Sequence, residues 1–287
     1  MRQWLRFPLL FLVSLALLGP ALATRALELL GGERAALRSA AAVQRLWARA
    51  MLRALGVEVR LEGESPRAGT LVVANHLSYL DILVLAAHVP GRFVAKSEIA
   101  GWPGLGQLAR SVGTIWVVQR KRMDVLRVDG EMARTLAAGV SVLLFPEGHS
   151  TGGVSVDRLH SSLLDLAARE RLPCHAVSLS YETPGSPWAP AATVCWWGGM
   201  TFGRHAWDLV GLPRIVARVR PAPAPRTGLD RKRLAGELQR DLLERHVPVR
   251  QTPLAPDYPW PQVFAGQDVP CSAPVFGPGP DGEERGR

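Results

Sequence analysis

The residues of this chain best suited to moving a proton are His76 and Asp81, in the stretch Ala74-Asn75-His76-Leu77-Ser78-Tyr79-Leu80-Asp81. An imidazole can take a proton near neutral pH, and a neighbouring carboxylate fixes its tautomer and stabilises the imidazolium that forms. Such a pair can deprotonate an alcohol, which unassisted is a poor nucleophile. The plainer alternative is structural: Ser78 is a good N-cap and Asp81 falls three positions later, so the two could form a capping box that only closes a helix end. A second fragment, Phe145-Pro146-Glu147-Gly148, adds a carboxylate and a glycine turn. A competing pattern overlaps it, because Gly148-His149-Ser150-Thr151-Gly152 fits a serine nucleophile elbow with Asp208 and His246 downstream in esterase order. That elbow needs a strand running straight into the serine and a helix starting at once. Pro146 and Glu147 intervene, and Gly153-Val154-Ser155-Val156 is a poor helix start, so a serine esterase using Ser150 is the weaker reading.

Both fragments sit where strands should end. Thr70 to Ala74 and Val140 to Phe145 are short, apolar and bounded by turn residues, as buried strands are, and apolar side chains repeat at helical spacing from Tyr79 to His88. Further strands are expected at Val57 to Leu61, Arg92 to Ala95, Thr114 to Val118, His175 to Ser180, Ala192 to Trp197 and Ile215 to Arg220. Helices are expected at Leu105 to Ser111, Val125 to Ala138, Leu159 to Arg171, Arg204 to Val210 and Leu229 to Arg245. This alternation predicts an α/β fold: a single domain with a mixed, largely parallel sheet flanked by helices, plus an N-terminal membrane-associated helical segment. In such sheets ligands collect at the carboxyl ends of the strands, where His76 and Glu147 both fall.

His-x-x-x-x-Asp followed by Phe-Pro-Glu-Gly resembles the glycerolipid acyltransferases, the group that includes the 1-acylglycerol-3-phosphate acyltransferases, over roughly Val57 to Pro221. The resemblance implies direct attack of a bound lysolipid hydroxyl on an acyl carbonyl, with His76 and Asp81 catalytic. Glu147 and Gly148 would line the acceptor site, and no covalent enzyme intermediate is needed. Gly113-Thr114-Ile115-Trp116-Val117-Val118-Gln119-Arg120 resembles a family block whose arginine binds the acceptor, with Arg120 one place late; Lys121 and Arg122 are further cations beside it. Lys96 matches a family lysine. Pro173 to Tyr181 resembles the fourth family block, and Val194 to Met200 the Trp-rich segment of the bacterial branch. One departure matters: many members continue Phe-Pro-Glu-Gly with Thr-Arg-Ser, whereas this chain has His149-Ser150-Thr151. The arginine that would neutralise a phosphate is missing there, as it is in members that acylate lyso-ornithine lipid. The resemblance thus implies acyl transfer from acyl-CoA or acyl-carrier protein as co-substrate, first to 1-acylglycerol 3-phosphate and alternatively to lyso-ornithine or another lysolipid.

With 287 residues and 47% hydrophobic content the chain can bury a sizeable core. Lysine and arginine number 34 against 25 acidic residues, an excess that favours an anionic partner, and no nucleic-acid motif accompanies it. An anionic membrane surface is the expected partner, and no nucleic acid is. Cys174, Cys195 and Cys271 are odd in number and widely spaced, so neither a disulfide framework nor a zinc site is expected, and no metal or bound cofactor is. Arg2 and Arg6 precede an apolar run from Phe7 to Ala23 that has the look of a signal peptide at Ala21-Leu22-Ala23. Acyl thioesters are cytosolic, however, which favours a retained anchor or a membrane-embedded hairpin on the cytoplasmic face of the inner membrane. Arg34, Arg38, Arg45, Arg49 and Arg53 recur on one helical face, suited either to a membrane surface or to packing on the domain. The expected organisation is an anchor at 1–23, a basic helical segment at 24–56, the enzyme domain at 57–246 and a Pro/Gly-rich, partly disordered tail at 247–287.

Overall fold

The computed structural model describes residues 1–30, 32–102, 105–111, 113–118 and 122–251. Its elements, in chain order, are α1 (Arg2–Ala16), α2 (Leu18–Leu29), α3 (Glu33–Leu55), β1 (Val57–Leu61), β2 (Leu71–Ala74), α4 (Leu80–His88), β3 (Gly91–Lys96), α5 (Leu105–Ser111), β4 (Ile115–Val117), α6 (Arg122–Ala137), β5 (Ser141–Leu144), α7 (Asp165–Arg169), β6 (Cys174–Glu182), α8 (Pro190–Thr193), α9 (Phe202–Gly211), β7 (Ile215–Pro221) and α10 (Arg231–Arg245). The strands form one sheet in the order β1-β7-β6-β2-β5-β3-β4. Each neighbouring pair is parallel except β6 with β7. The mixed, largely parallel sheet is therefore the one the sequence pattern predicts.

The central strands β2 and β5 are buried along their whole length, because helices cover both faces. Side chains alternate between those faces with the period of two that a strand imposes. Val72, Ala74, Leu143 and Leu179 pack with Trp47 and Leu52 of α3, Leu83 of α4 and Leu209 of α9. Leu71, Val73, Val142 and Leu144 pack with Met132 of α6, Leu166 of α7 and Leu238 of α10.

Two expected elements differ. Ala192 to Trp197 is no strand: Pro190 opens the short turn α8, the Val194 N–H bonds the Pro190 carbonyl at 2.8 Å, and the Trp196 N–H goes to Leu77 O at 2.8 Å. A fully buried apolar run looks alike as strand or helical turn, and here a proline with its preset φ decided. The helix expected over Leu159 to Arg171 is reduced to a 3₁₀ turn (Ser161–Leu164) and α7. His160 is held extended by its N–H bond to Pro146 O at 2.8 Å, and Arg171 lies at φ 49° ahead of Pro173, which closes the other end.

The N-terminal run is two helices, not one. Pro20 lacks the N–H that would bond the Ala16 carbonyl, and the chain breaks at Leu17 before restarting as α2. Arg2–Ala21 is long and apolar enough by composition to cross a membrane, yet α1 lies against α3 and α9. Leu10, Val13 and Leu17 join the core, the Trp47 indole N–H reaches Ser14 Oγ at 3.2 Å, and Arg6 donates to Val210 O and Leu212 O at 2.9 and 2.7 Å. The arginines of α3 also serve packing. Arg38 donates to Ala138 O at 2.7 Å, while Arg45 and Arg49 donate to Ala87 O at 3.2 and 3.0 Å, so they cover the exposed carbonyls at the ends of α6 and α4. Of the expected tail, residues 247–251 lie on the body, where Val249 N–H bonds Gly153 O at 2.8 Å; 252–287 fall outside the described residues.

Candidate active site

The parallel register of β2 and β5 builds the site. Leu71 pairs with Val142 and Val73 with Leu144, an offset that carried past the strand ends puts Glu147 beside His76. The contact is direct: Glu147 Oε1 accepts the His76 N–H at 2.6 Å. The Thr151 N–H then bonds His76 O at 3.0 Å, so the loop after β5 grips the histidine backbone on both sides. The imidazole itself stacks on Phe145, with ring centroids 4.2 Å apart.

His76 Nδ1 lies 2.8 Å from Asp81 Oδ2. The same oxygen accepts the N–H groups of Leu77 at 2.6 Å and Ser78 at 2.8 Å, while Tyr181 donates to Oδ1 at 2.6 Å. Helix-end capping and imidazole pairing are thus not rivals, since one carboxylate does both. Asp81 is fully buried, and four donors offset the cost of taking it out of water. Burial and the Asp81 charge push the Tyr181 hydroxyl well above its usual range, which keeps it a donor. With Nδ1 engaged, Nε2 has no protein partner among the described residues, and the side chain keeps 23% of its exposure. That nitrogen can accept a proton from a bound hydroxyl.

Glu147 is fully buried, and its second oxygen accepts the Asp157 N–H at 2.9 Å. Burial pushes its carboxyl up to about 8 against the pull of the two backbone donors. Both oxygens therefore face the protein rather than an open acceptor cleft. Gly148 follows at φ 75°, and a Cβ there would sit 3.4 Å from the His160 ring. Lys96 ends β3, one strand beyond β5 on the same sheet edge. Arg120 and Lys121 fall outside the described residues, and the strand register expected to aim Arg120 can be followed only to Val118.

Two supporting residues had no signal in the spacing of the two motifs. Asn75 exchanges bonds with Leu179, Nδ2 to O at 3.0 Å and N–H to Oδ1 at 2.7 Å, which prolongs the β2–β6 pairing just before His76. Tyr181 is the other, and a tyrosine in a strand expected to be buried was the available clue, because its hydroxyl needs a partner. The alternative esterase triad is not assembled. Ser150 Oγ donates to Trp196 O, His246 Nε2 lies 3.0 Å from Gly153 O, and Asp208 pairs with Arg204 at 2.9 Å. No helix follows the serine.

The chain is similar to known proteins in both sequence and fold. An acyltransferase family model matches residues 56–181. The chain is 35% identical over 196 residues to the lyso-ornithine lipid O-acyltransferase of Pseudomonas aeruginosa, covering 68% of this chain and 74% of that one. It is 33% identical over 167 residues to the 1-acyl-sn-glycerol-3-phosphate acyltransferase of Neisseria gonorrhoeae, covering 58% and 60%. The crystal structure of the 1-acyl-sn-glycerophosphate acyltransferase PlsC from Thermotoga maritima shares the fold, with a TM-score of 0.58 over 85% of this chain and 95% of that one at 19% identity. By the matched domain and the extent of its relatives, the chain is an enzyme that belongs to the acyltransferase family.

Proposed function

We propose that this acyltransferase esterifies the hydroxyl of a membrane lysolipid, with His76 as general base and Asp81 as the group that orients and stabilises it. The observation that carries the reading is a half-buried imidazole whose Nδ1 is fixed on a four-donor carboxylate and whose Nε2 is left open at the carboxyl edge of a parallel sheet. Nε2 takes the acceptor's hydroxyl proton as its oxygen attacks the carbonyl of acyl-CoA or acyl-carrier protein. The C–S bond breaks, and the imidazolium returns the proton to the departing thiolate, so no covalent enzyme intermediate forms.

For the acceptor, lyso-ornithine lipid is the first choice and 1-acylglycerol 3-phosphate the second. The former acceptor names the relative with the longer match, and position 150 carries a serine turned into the Trp196 carbonyl, leaving no guanidinium there to meet a phosphate. The second acceptor is supported by the N. gonorrhoeae relative and by the basic excess of the chain. The site of action is the cytoplasmic face of the inner membrane, reached by the apolar N-terminal helices.

The test is acyl transfer by purified enzyme to a lysolipid panel from both donors. His76→Ala should lower the rate about 10²- to 10⁴-fold, and Asp81→Asn should lower turnover strongly with acceptor KM nearly intact. Ser150→Ala should cost less than about tenfold, since its hydroxyl serves one carbonyl. Retained transfer in His76→Ala, with loss in Ser150→Ala, would end this reading and restore the esterase.

A further inference from the structure

A second histidine–aspartate pair stands on the loop that grips His76. His149 Nε2 lies 3.0 Å from Asp157 Oδ2, the side chains being 24% and 21% exposed. This is the exposure of His76 itself, and the other nitrogen, Nδ1, likewise has no protein partner among the described residues. The two pairs share a brace, because Glu147 accepts the His76 N–H on one oxygen and the Asp157 N–H on the other. His149 is two residues from Thr151, whose N–H bonds the His76 carbonyl at 3.0 Å. Two residues of chain span at most about 7 Å, so the His149 backbone lies within roughly 10 Å of the His76 carbonyl oxygen, on the backbone of the residue proposed to act as base.

We propose that His149, seated on Asp157, contacts the oxyanion of the acceptor's head group and thereby sets which lysolipids are accepted. A doubly protonated imidazole donates from both nitrogens. Nε2 then serves Asp157 and Nδ1 points its N–H at a phosphate or carboxylate a few bonds from the reacting hydroxyl. Phosphate monoesters and the ornithine carboxylate share this chemistry. A single imidazole with one free donor suits a carboxylate better than a doubly charged phosphate, for which a guanidinium offers a bidentate fork. Arg158, a further cation, follows on the same loop, and the His160 ring flanks Gly148. The assignment rests on the lysolipid reading above and specifies how its acceptor is chosen.

The experiment uses full-length enzyme in mixed micelles with three acceptors: lyso-ornithine lipid, 1-acylglycerol 3-phosphate and uncharged monoacylglycerol. His149→Gln should raise KM at least tenfold for whichever charged acceptor the wild type uses best, with kcat and donor KM changed less than threefold. Asp157→Asn keeps the backbone N–H on Glu147 and removes only the ion pair, and should give a smaller rise of the same kind. His149→Arg should restore charged-acceptor binding and shift preference toward the phosphate. Equal losses on charged and uncharged acceptors, a fall in kcat alone, or misfolding of both neutral variants would make the pair a loop staple and overturn the assignment. A wild type that acylates no lysolipid would overturn the proposed function as well, whereas intact acylation with unmoved acceptor preference sinks this assignment alone.

Discussion

At the scale of single residues, the buried carboxyl of Glu147 makes the sharpest pH prediction. Its carboxyl is held up to about 8 by burial, against an ordinary value of 4.5. Between those values the folded protein keeps a proton that the unfolded chain has released. Stability from this group is therefore complete at low pH and is lost as pH rises from about 4.5 through about 8, at no more than about 1.4 kcal/mol per pH unit. Glu147→Gln cannot titrate. Its urea-unfolding free energy should lack this downward slope, although the variant is weaker at every pH because an amide nitrogen cannot accept the Asp157 or His76 N–H. Parallel pH profiles for wild type and variant would mean that the two backbone donors, not burial, control the group.

Among the elements, Arg6 ties α1 to the end of α9 by hydrogen bonds. Arg6 supplies donors to the Val210 and Leu212 carbonyls where α9 ends and has no further turn to satisfy them. The guanidinium also fills the space beside Gly56, the left-handed residue that ends α3, where a Cβ would come 2.5 Å from Arg6 Nη2. Arg6→Ala should cost about 1.5 to 3 kcal/mol, the worth of hydrogen bonds to a charged donor. Thermal unfolding should shift down while turnover per folded molecule stays near wild type, because α1 carries none of the proposed chemistry. Arg6→Lys should recover only part of the loss, since an ammonium is a point charge and not a fork.

For the whole molecule, the proposed action on a membrane lysolipid is tested at the outer face of α1. In α1, Arg6, Leu10, Val13 and Ser14 face the body, while Trp4, Leu5, Phe11, Leu12 and Leu15 recur on the opposite face and are more than half exposed. Trp207 of α9 extends that bare strip by stacking on Phe7 and meeting Trp4 edge-on. An exposed apolar strip of this kind is the surface that the proposed contact with lipid would use. Replacing Phe11 and Leu12 together by Glu should weaken partition onto anionic vesicles at least about a hundredfold, each lost side chain being worth about 1.5 to 3 kcal/mol. The body should unfold as before, since neither side chain is buried in it. Binding of the double variant that matches wild type in both low and high salt would show that these side chains do not meet lipid.

Local sequence sufficed for much of this. The buried strands β2 and β5, the helix after Ser78 and the proximity of His76 to Asp81 follow from short-range periodicity and a five-residue spacing. They are legible because strand burial, helix periodicity and capping are all contained within a few consecutive residues. Direction was legible too, since alternating strands and helices demand parallel crossovers and put both motifs at one sheet edge. What the tertiary structure alone decided are the long-range partners. Glu147 meets His76 through a strand register that no local pattern encodes. Tyr181, a hundred residues from Asp81, completes the carboxylate's donors from the far side of β2. Arg38, Arg45 and Arg49 of α3 read equally well as part of a membrane face or a packing face until Ala87 and Ala138 offered them carbonyls. Ala192 to Trp197 went to a turn because its backbone donors found Pro190 and Leu77, not a neighbouring strand. In each case the deciding term is a hydrogen bond or contact whose other half lies far along the chain, and only folding brings the two halves within reach.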